Sequence, residues 1–251
     1  MKLTTLLNLI QDVASKNGIA KVWICGGSVR DKVLNKAAQL DDLDFTTGDN
    51  KSSNLAEEVY TELSKYYSLK REIMKDGHIS LFISNIKLDF SSNYIAPEID
   101  IYLNKLGISQ PTSLQQEMYS RDFTCNSLLM TLDLQKVLDP TKQGIKDIKN
   151  KILKTCLSPE KTLNDNKNRI IRVIYLACKL GFSVDSSIIT FIKSNPALIK
   201  QSSSEEYVKK QLKKATKYDL NKTIELLNQM NLWNYIPITE ELYPYFEKNI
   251  K

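Results

Sequence analysis

The 251-residue sequence has one histidine (His78) and four cysteines (Cys25, Cys125, Cys156, Cys178), which lie far apart with no C-x-x-C pair. That pattern does not support a zinc site built from Cys and His, so any metal is expected to be held by oxygen. The same spacing rules out a dense disulfide scaffold. Met1 leads into a mixed, partly charged stretch and not a basic segment followed by an apolar core, so a reduced, cytoplasmic compartment is expected. No apolar run reaches the roughly 18 residues of a membrane span, so no membrane partner is expected. With 42% hydrophobic and 25% charged residues the composition is that of a folded globular chain, and a net charge of +6 permits a nucleic-acid partner without demonstrating one.

Leu3, Leu6, Leu7, Ile10 and Val13 recur at helical spacing before Asn17-Gly18 breaks the pattern. Lys21 to Cys25 predicts a strand, Gly26-Gly27 a tight turn, and Ser28 to Leu34 a helix. A strand over Leu43 to Thr47, a helix over Leu55 to Leu63 and three strands over Ser68 to Met74, Ile79 to Ser84 and Ile86 to Phe90 complete an α/β half with a partly antiparallel sheet. From about Thr124 helical periods replace strand signals: Cys125 to Leu132, Asn166 to Leu180, Asp185 to Lys193, Ser204 to Ala215 and Leu220 to Met230. Ser158-Pro159 and a box of Ser203 with Glu206 predict helix starts. The expected fold class is therefore α/β followed by all-α, with a small mixed sheet in the first domain, about 1–150, and helices in the second, about 151–251.

The chemistry is concentrated in Cys25 to Thr47. Asp42 and Asp44 lie two apart on a strand, so both side chains leave the same face and can share a hard cation. Beside a glycine turn whose N–H groups can hold a triphosphate, they make the minimum apparatus for magnesium-assisted nucleotidyl transfer.

These features occur together, and in that order the chain resembles the class II tRNA nucleotidyltransferases and bacterial poly(A) polymerases. Gly26, Gly27, Val29, Arg30, Asp31, Asp42, Asp44 and Thr47 stand at the positions of that family's first motif. Gly77-His78, the run RDFTCNSLL from Arg121, LDPTKQGIKDI from Leu138 and RIIRVIYLACKLGF from Arg169 resemble its later motifs in sequence order. The resemblance implies a nucleotidyltransferase head and a helical neck, with the nucleotide between them. Asp42 and Asp44 would be the catalytic Mg²⁺ ligands, while Gly26, Gly27 and Arg30 would hold the triphosphate and Arg121 and Asp122 the sugar. Asp165, Asn166, Arg169 and Arg172 would face the base. An arginine donor suits the ring acceptor of cytosine and adenine and opposes the ring N–H of uracil and guanine, so Arg169 would admit CTP and ATP.

Several residues keep two readings. Asp139, Gly144 and Asp147 fit a family hinge or an ordinary capped turn; Asp89 fits a third metal carboxylate or a solvated strand residue; His78 fits an active-site position or a structural one. Trp233, Tyr235, Tyr243, Tyr245 and Phe246 fit a base-stacking platform or the closure of a core. Departures from the family pattern are Asn166 in place of an acid, Ser120 in place of the first arginine of Arg-Arg-Asp, Tyr175 in place of an arginine, Asn35 in place of a glycine, and a missing arginine near the start of SSEEYVKKQL. Such losses would weaken discrimination or affinity.

The implied activity is template-independent addition of AMP and/or CMP from ATP or CTP to a tRNA or other RNA 3′-hydroxyl, in tRNA processing or polyadenylation. A non-catalytic RNA- or nucleotide-binding subunit and transfer to a non-RNA acceptor are the alternatives. Family members continue through helical body and tail domains that grip the tRNA. With the sequence ending at Lys251, that grip is expected either from a partner subunit or oligomer, or from a compact basic surface. Lys209, Lys210, Lys213, Lys214 and Lys217 are candidates for the latter, although their spacing spreads them around much of a helix and also fits a merely solvated face.

Overall fold

The computed structural model describes residues 2–35 and 41–249. Among them no helix is long and apolar enough to cross a membrane. The chain divides into two compact units, Met1–Lys146 and Asp147–Lys251.

The first unit runs α1 (Leu3–Lys16), β1 (Trp23–Cys25), α2 (Gly27–Val33), β2 (Asp42–Thr46), α3 (Ser52–Leu63), β3 (Leu69–Ile73), β4 (Ile79–Ile83), β5 (Ile86–Phe90), α4 (Ile99–Lys105), α5 (Ser113–Tyr119), β6 (Leu129–Met130) and β7 (Val137–Leu138). Its strands form one sheet in the order β3-β4-β5-β2-β1-β6-β7, in which β2 and β5 are parallel and the other pairs antiparallel. Alternation along the strands separates two faces. Leu43 and Phe45 of β2 and Leu88 and Phe90 of β5 are fully buried on one, where Phe45 stacks on Phe90 with centroids 5.2 Å apart. Asp42, Asp44 and Thr46 point to the other, as do Lys87 and Asp89 in register. On that second face α5 sends Met118 onto Cys25 and Leu129, with Trp23 and Leu114 alongside.

Cys125 to Leu132, expected to be helical, is a single 3-10 turn at Thr124–Asn126 followed by β6, which pairs with β1. An unbroken apolar run fits a buried strand as well as a helix, and pairing with β1 decides in favour of the strand. Strand structure therefore persists past Thr124, in β6, β7 and two further short strands.

After α6 (Gly144–Lys149), the second unit contains β8 (Ile152–Leu153), α7 (Pro159–Asp165), α8 (Asn168–Leu180), β9 (Ser183–Val184), α9 (Ser186–Ser194), α10 (Glu205–Tyr218), α11 (Leu220–Gln229) and α12 (Tyr243–Asn249). The stripe Ile170, Val173, Ile174, Ala177 and Leu180 of α8 is buried, and α10 and α11 pack on this helix. Ser158 caps α7 ahead of Pro159 as expected. The helix α10 is capped by Ser204, which accepts from Tyr207 N at 3.0 Å, and not by Ser203. Trp233 is buried, donates to Asn228 and meets Phe246 at 6.4 Å, so it closes a core, whereas Tyr243 is exposed.

Candidate active site

The site begins where β1 ends. Gly26 takes φ +77 and a Cβ there would lie 2.3 Å from Asp44 Oδ2, so both backbone conformation and space demand glycine. The turn lays its backbone directly against the Asp44 carboxylate. With glycine as N-cap, no side chain caps the first N–H groups of α2, which leaves them to an external acceptor.

Asp42 is exposed and Asp44 partly buried, both on the same face of β2. Neither carboxylate makes a hydrogen bond or ion pair to the described residues. Burial pushes the Asp44 carboxyl up to about 6, with the Asp89 and Asp42 charges adding to the rise and Arg121 and Lys87 opposing it. Two carboxylates with unclaimed oxygens, one of them costly to ionise, are suited to a hard cation. Among the described residues no three His, Cys, Asp or Glu side chains converge as a ligand set. Such a cation would draw its other ligands from substrate and water, as Mg²⁺ commonly does.

Asp89 lies directly opposite Asp44 on β5 and is buried, not solvated. It accepts from Ser80 Oγ at 2.6 Å, contacts His78 Nε2 at 3.2 Å and pairs with Lys87. Burial alone would raise its pKa, but the hydrogen bonds from His78, Lys87 and Ser80 outweigh it and hold the carboxylate at about 2. His78 thus has a structural partner in Asp89, whose hydrogen bond raises the imidazole pKa above its ordinary value.

Arg30, expected to hold the triphosphate, is turned inward. It is 3% exposed, its Nε donates to Asp31 Oδ1 at 2.9 Å and its Nη1 to Asn126 Oδ1 at 2.6 Å. Asn126 in turn donates to Asp122 Oδ1 at 3.1 Å, and Asp122 also accepts from Phe123 N. Arg30 and Asp122 are therefore two ends of one buried brace joining α2 to the turn that precedes β6.

Arg121 lies closer to the carboxylates. Its Nη2 contacts Cys25 Sγ at 3.0 Å and Glu117 Oε1 at 3.2 Å, and its buried Nε has no partner. Glu117, absent from the sequence reading, is 3% exposed and also accepts from Thr46, Ser91 and Asn93. Its signal is an acid four residues ahead of an arginine. Ser120, standing where the family has arginine, is buried, accepts from Ala96 N and donates to Gln116 O. Asp139 accepts from Thr141 and Ile145 N, the capped-turn reading, and a Cβ on Gly144 would meet Thr124 O at 2.4 Å.

In the second unit Asp165, Asn166, Arg169 and Arg172 do not share one helix. Asp165 ends α7, Asn166 is extended (φ −148, ψ 103), and α8 begins at Asn168. The break arises because Asn166 Oδ1 accepts from Asn168 N at 3.0 Å, the local bond by which asparagine competes with helix. Asp165 Oδ1 pairs with Lys161 at 2.7 Å, while Oδ2 is buried without a partner. Arg169 is 9% exposed and its Nη1 donates to Thr162 O at 3.1 Å; Arg172 is partly buried.

The chain is 27% identical over 245 residues to the tRNA nucleotidyltransferase cca2 of Schizosaccharomyces pombe, covering 91% of this chain and 50% of the relative. It is 26% identical to the CCA-adding enzyme of Staphylococcus epidermidis, covering 86% and 51%. The chain thus spans about half the length of the curated relatives it matches. Its fold is similar to the Bacillus stearothermophilus CCA-adding enzyme in complex with CTP, with a TM-score of 0.71 at 21% identity over 94% of this chain and 55% of that one. A family model described as the poly A polymerase head domain matches residues 22–154, just over half of the sequence, and the chain belongs to that family.

Proposed function

We propose that the chain is a template-independent nucleotidyltransferase that adds AMP and/or CMP, from ATP or CTP, to the 3′-hydroxyl of a tRNA or another RNA and releases pyrophosphate. The observation that carries this reading is the Asp42/Asp44 pair: two carboxylates on one strand face, without hydrogen-bond or ion-pair partners among the described residues, against the Gly26 turn. Nucleotidyltransferases of this family generally use divalent metal ions. Mg²⁺ is the ion proposed, held by Asp42 and Asp44, and when bound it would acidify the attacking hydroxyl and offset charge on the departing pyrophosphate.

The chain's own residues have the following work. The uncapped N–H groups after Gly26 and Gly27 bind phosphate oxygens. Arg121, held by Glu117, keeps one donor unspent beside the carboxylates for the nucleotide. Arg30 and Asp122 brace the turn through Asn126. In the second unit Asp165 Oδ2, a buried acceptor without a donor, suits the exocyclic amino group that cytosine and adenine share, and Arg169 suits their ring acceptor. The names of the relatives favour a tRNA 3′ end over a poly(A) tail.

The test is incubation with each labelled NTP and Mg²⁺, offering tRNA without its 3′ end, mature tRNA and an oligo(A) primer. Label from ATP or CTP on the shortened tRNA is the expected result. Incorporation of UTP and GTP at equal rates, or no incorporation on any RNA, overturns the reading.

A further inference from the structure

We infer that the lysine face of α10 holds the phosphate backbone of the RNA, an inference that rests on the RNA acceptor proposed above. This helix buries Val208, Gln211, Leu212, Ala215 and Thr216, and Lys209, Lys210, Lys213, Lys214 and Lys217 are all exposed. At 100° per residue those lysines fall within about 140° of arc. The spread read from the sequence is therefore a single solvent face. Lys209, Lys213 and Lys217 form a row about 12 Å long, at 1.5 Å per residue, with Lys210 and Lys214 beside it.

All five line one groove of about 470 Å³, whose other wall is the segment 238–241. Glu206, Glu240 and Glu241 also line the groove, so its five lysines exceed its acids by two. Lys213 is 4.0 Å from Glu241 and Lys209 is 3.6 Å from Glu205, while Lys210 and Lys217 have no ion-pair partner among the described residues. Lys214 lies over the Tyr175 ring at 5.6 Å, on the residue that replaces a family arginine.

The groove presents ammonium groups on flexible stems, with no arginine among its lining residues. That chemistry suits sequence-independent phosphate contact.

The test compares the chain with K210Q/K213Q/K217Q and with K16Q/K65Q/K105Q, a control that removes the same charge from exposed lysines elsewhere. Affinity for a tRNA transcript is measured across a salt series without nucleotide, and affinity for poly-L-glutamate alongside. The expected result is a log K against log salt slope shallower by about 3 for the groove variant, one per lost phosphate contact, with the control unchanged. Equal losses in both variants, an unchanged groove variant, or a loss confined to poly-L-glutamate would each overturn the inference while leaving RNA as the acceptor. An unsubstituted chain that binds no transcript overturns the RNA acceptor itself, so the two failures are told apart.

Discussion

Asp44 and Asp89 are register partners on adjacent parallel strands, yet their carboxyls titrate in opposite directions, one raised to about 6 and the other lowered to about 2. The difference lies in their neighbours. Asp89 has Ser80, His78 and Lys87 on its oxygens. Asp44 has the Gly26 backbone on one side and the Asp89 and Asp42 charges nearby, opposed by Arg121, and no described residue donates a hydrogen bond to its carboxylate. The fold satisfies the supporting acid and leaves the candidate ligand unsatisfied, the pattern of a site assembled around an absent positive charge.

Replacing Asp44 with Asn should stabilise the metal-free chain while abolishing nucleotide transfer. A carboxyl whose pKa rises from 3.8 to about 6 on folding binds its proton more tightly in the folded chain. Wild-type stability therefore falls as pH climbs from about 4 to about 6, by about 3 kcal/mol in all. Thermal melts in chelator should place Asp44→Asn above wild type at pH 8 and level with it at pH 4. A variant that melts lower at pH 8 would show that the carboxylate is satisfied within the protein.

Asp89→Asn should act in the reverse sense. The folded carboxyl titrates at about 2, below its ordinary 3.8, so its contribution is present above about pH 4 and is lost as pH falls towards 2. At pH 7 the substitution should cost about 2 kcal/mol, because it also deprives Lys87 and His78 of their counter-charge. Denaturant midpoints at pH 7 and pH 3 check this, with the gap between variant and wild type narrowing at the lower pH. If Asp89 were a metal ligand instead, the stability gap would be small and metal affinity would carry the loss.

Gly26→Ala should remove activity without touching a charge. The new methyl would need to sit 2.3 Å from Asp44 Oδ2 at φ +77, so either the turn or the carboxylate must shift. The backbone at φ +77, ψ −142 is one that essentially only glycine adopts, and it alone costs about 1–3 kcal/mol for a residue with a Cβ. Calorimetric titration with Mn²⁺ should show weakened binding comparable to that of Asp44→Asn, and unchanged binding would separate the turn from the metal site.

The parts of the site visible in the sequence are those where spacing alone sets geometry. Asp42 and Asp44 share a face because strand side chains alternate, and Gly26 marks a turn that a side chain cannot enter. What the sequence concealed depends on burial and on partners far along the chain. Arg30 reads as a phosphate ligand because a sequence displays charge and not exposure; in the fold it is buried and bonded to Asn126, 96 positions away. Glu117 sits in a polar stretch, SLQQEMY, that reads as a solvated helix, and only the fold brings Thr46, Ser91 and Asn93 to its oxygens. Helical spacing joined Asp165 to Arg169, but the bond from Asn168 N to Asn166 Oδ1 ends one helix before the next begins.

The inward position of Arg30 separates two roles that a loss of activity alone would confuse. Lysine keeps the positive charge but not the planar fork that reaches Asp31 and Asn126 together. If Arg30 holds the buried brace, Arg30→Lys should lose about 2–4 kcal/mol of stability, as expected for breaking a buried charged hydrogen-bond pair. ATP affinity, measured well below the melting temperature, should then stay within about threefold of wild type, a change under 1 kcal/mol. If Arg30 held the triphosphate, the retained charge would soften the stability loss and the nucleotide affinity would fall instead. Paired melting and ATP-binding measurements on the one variant decide between the two.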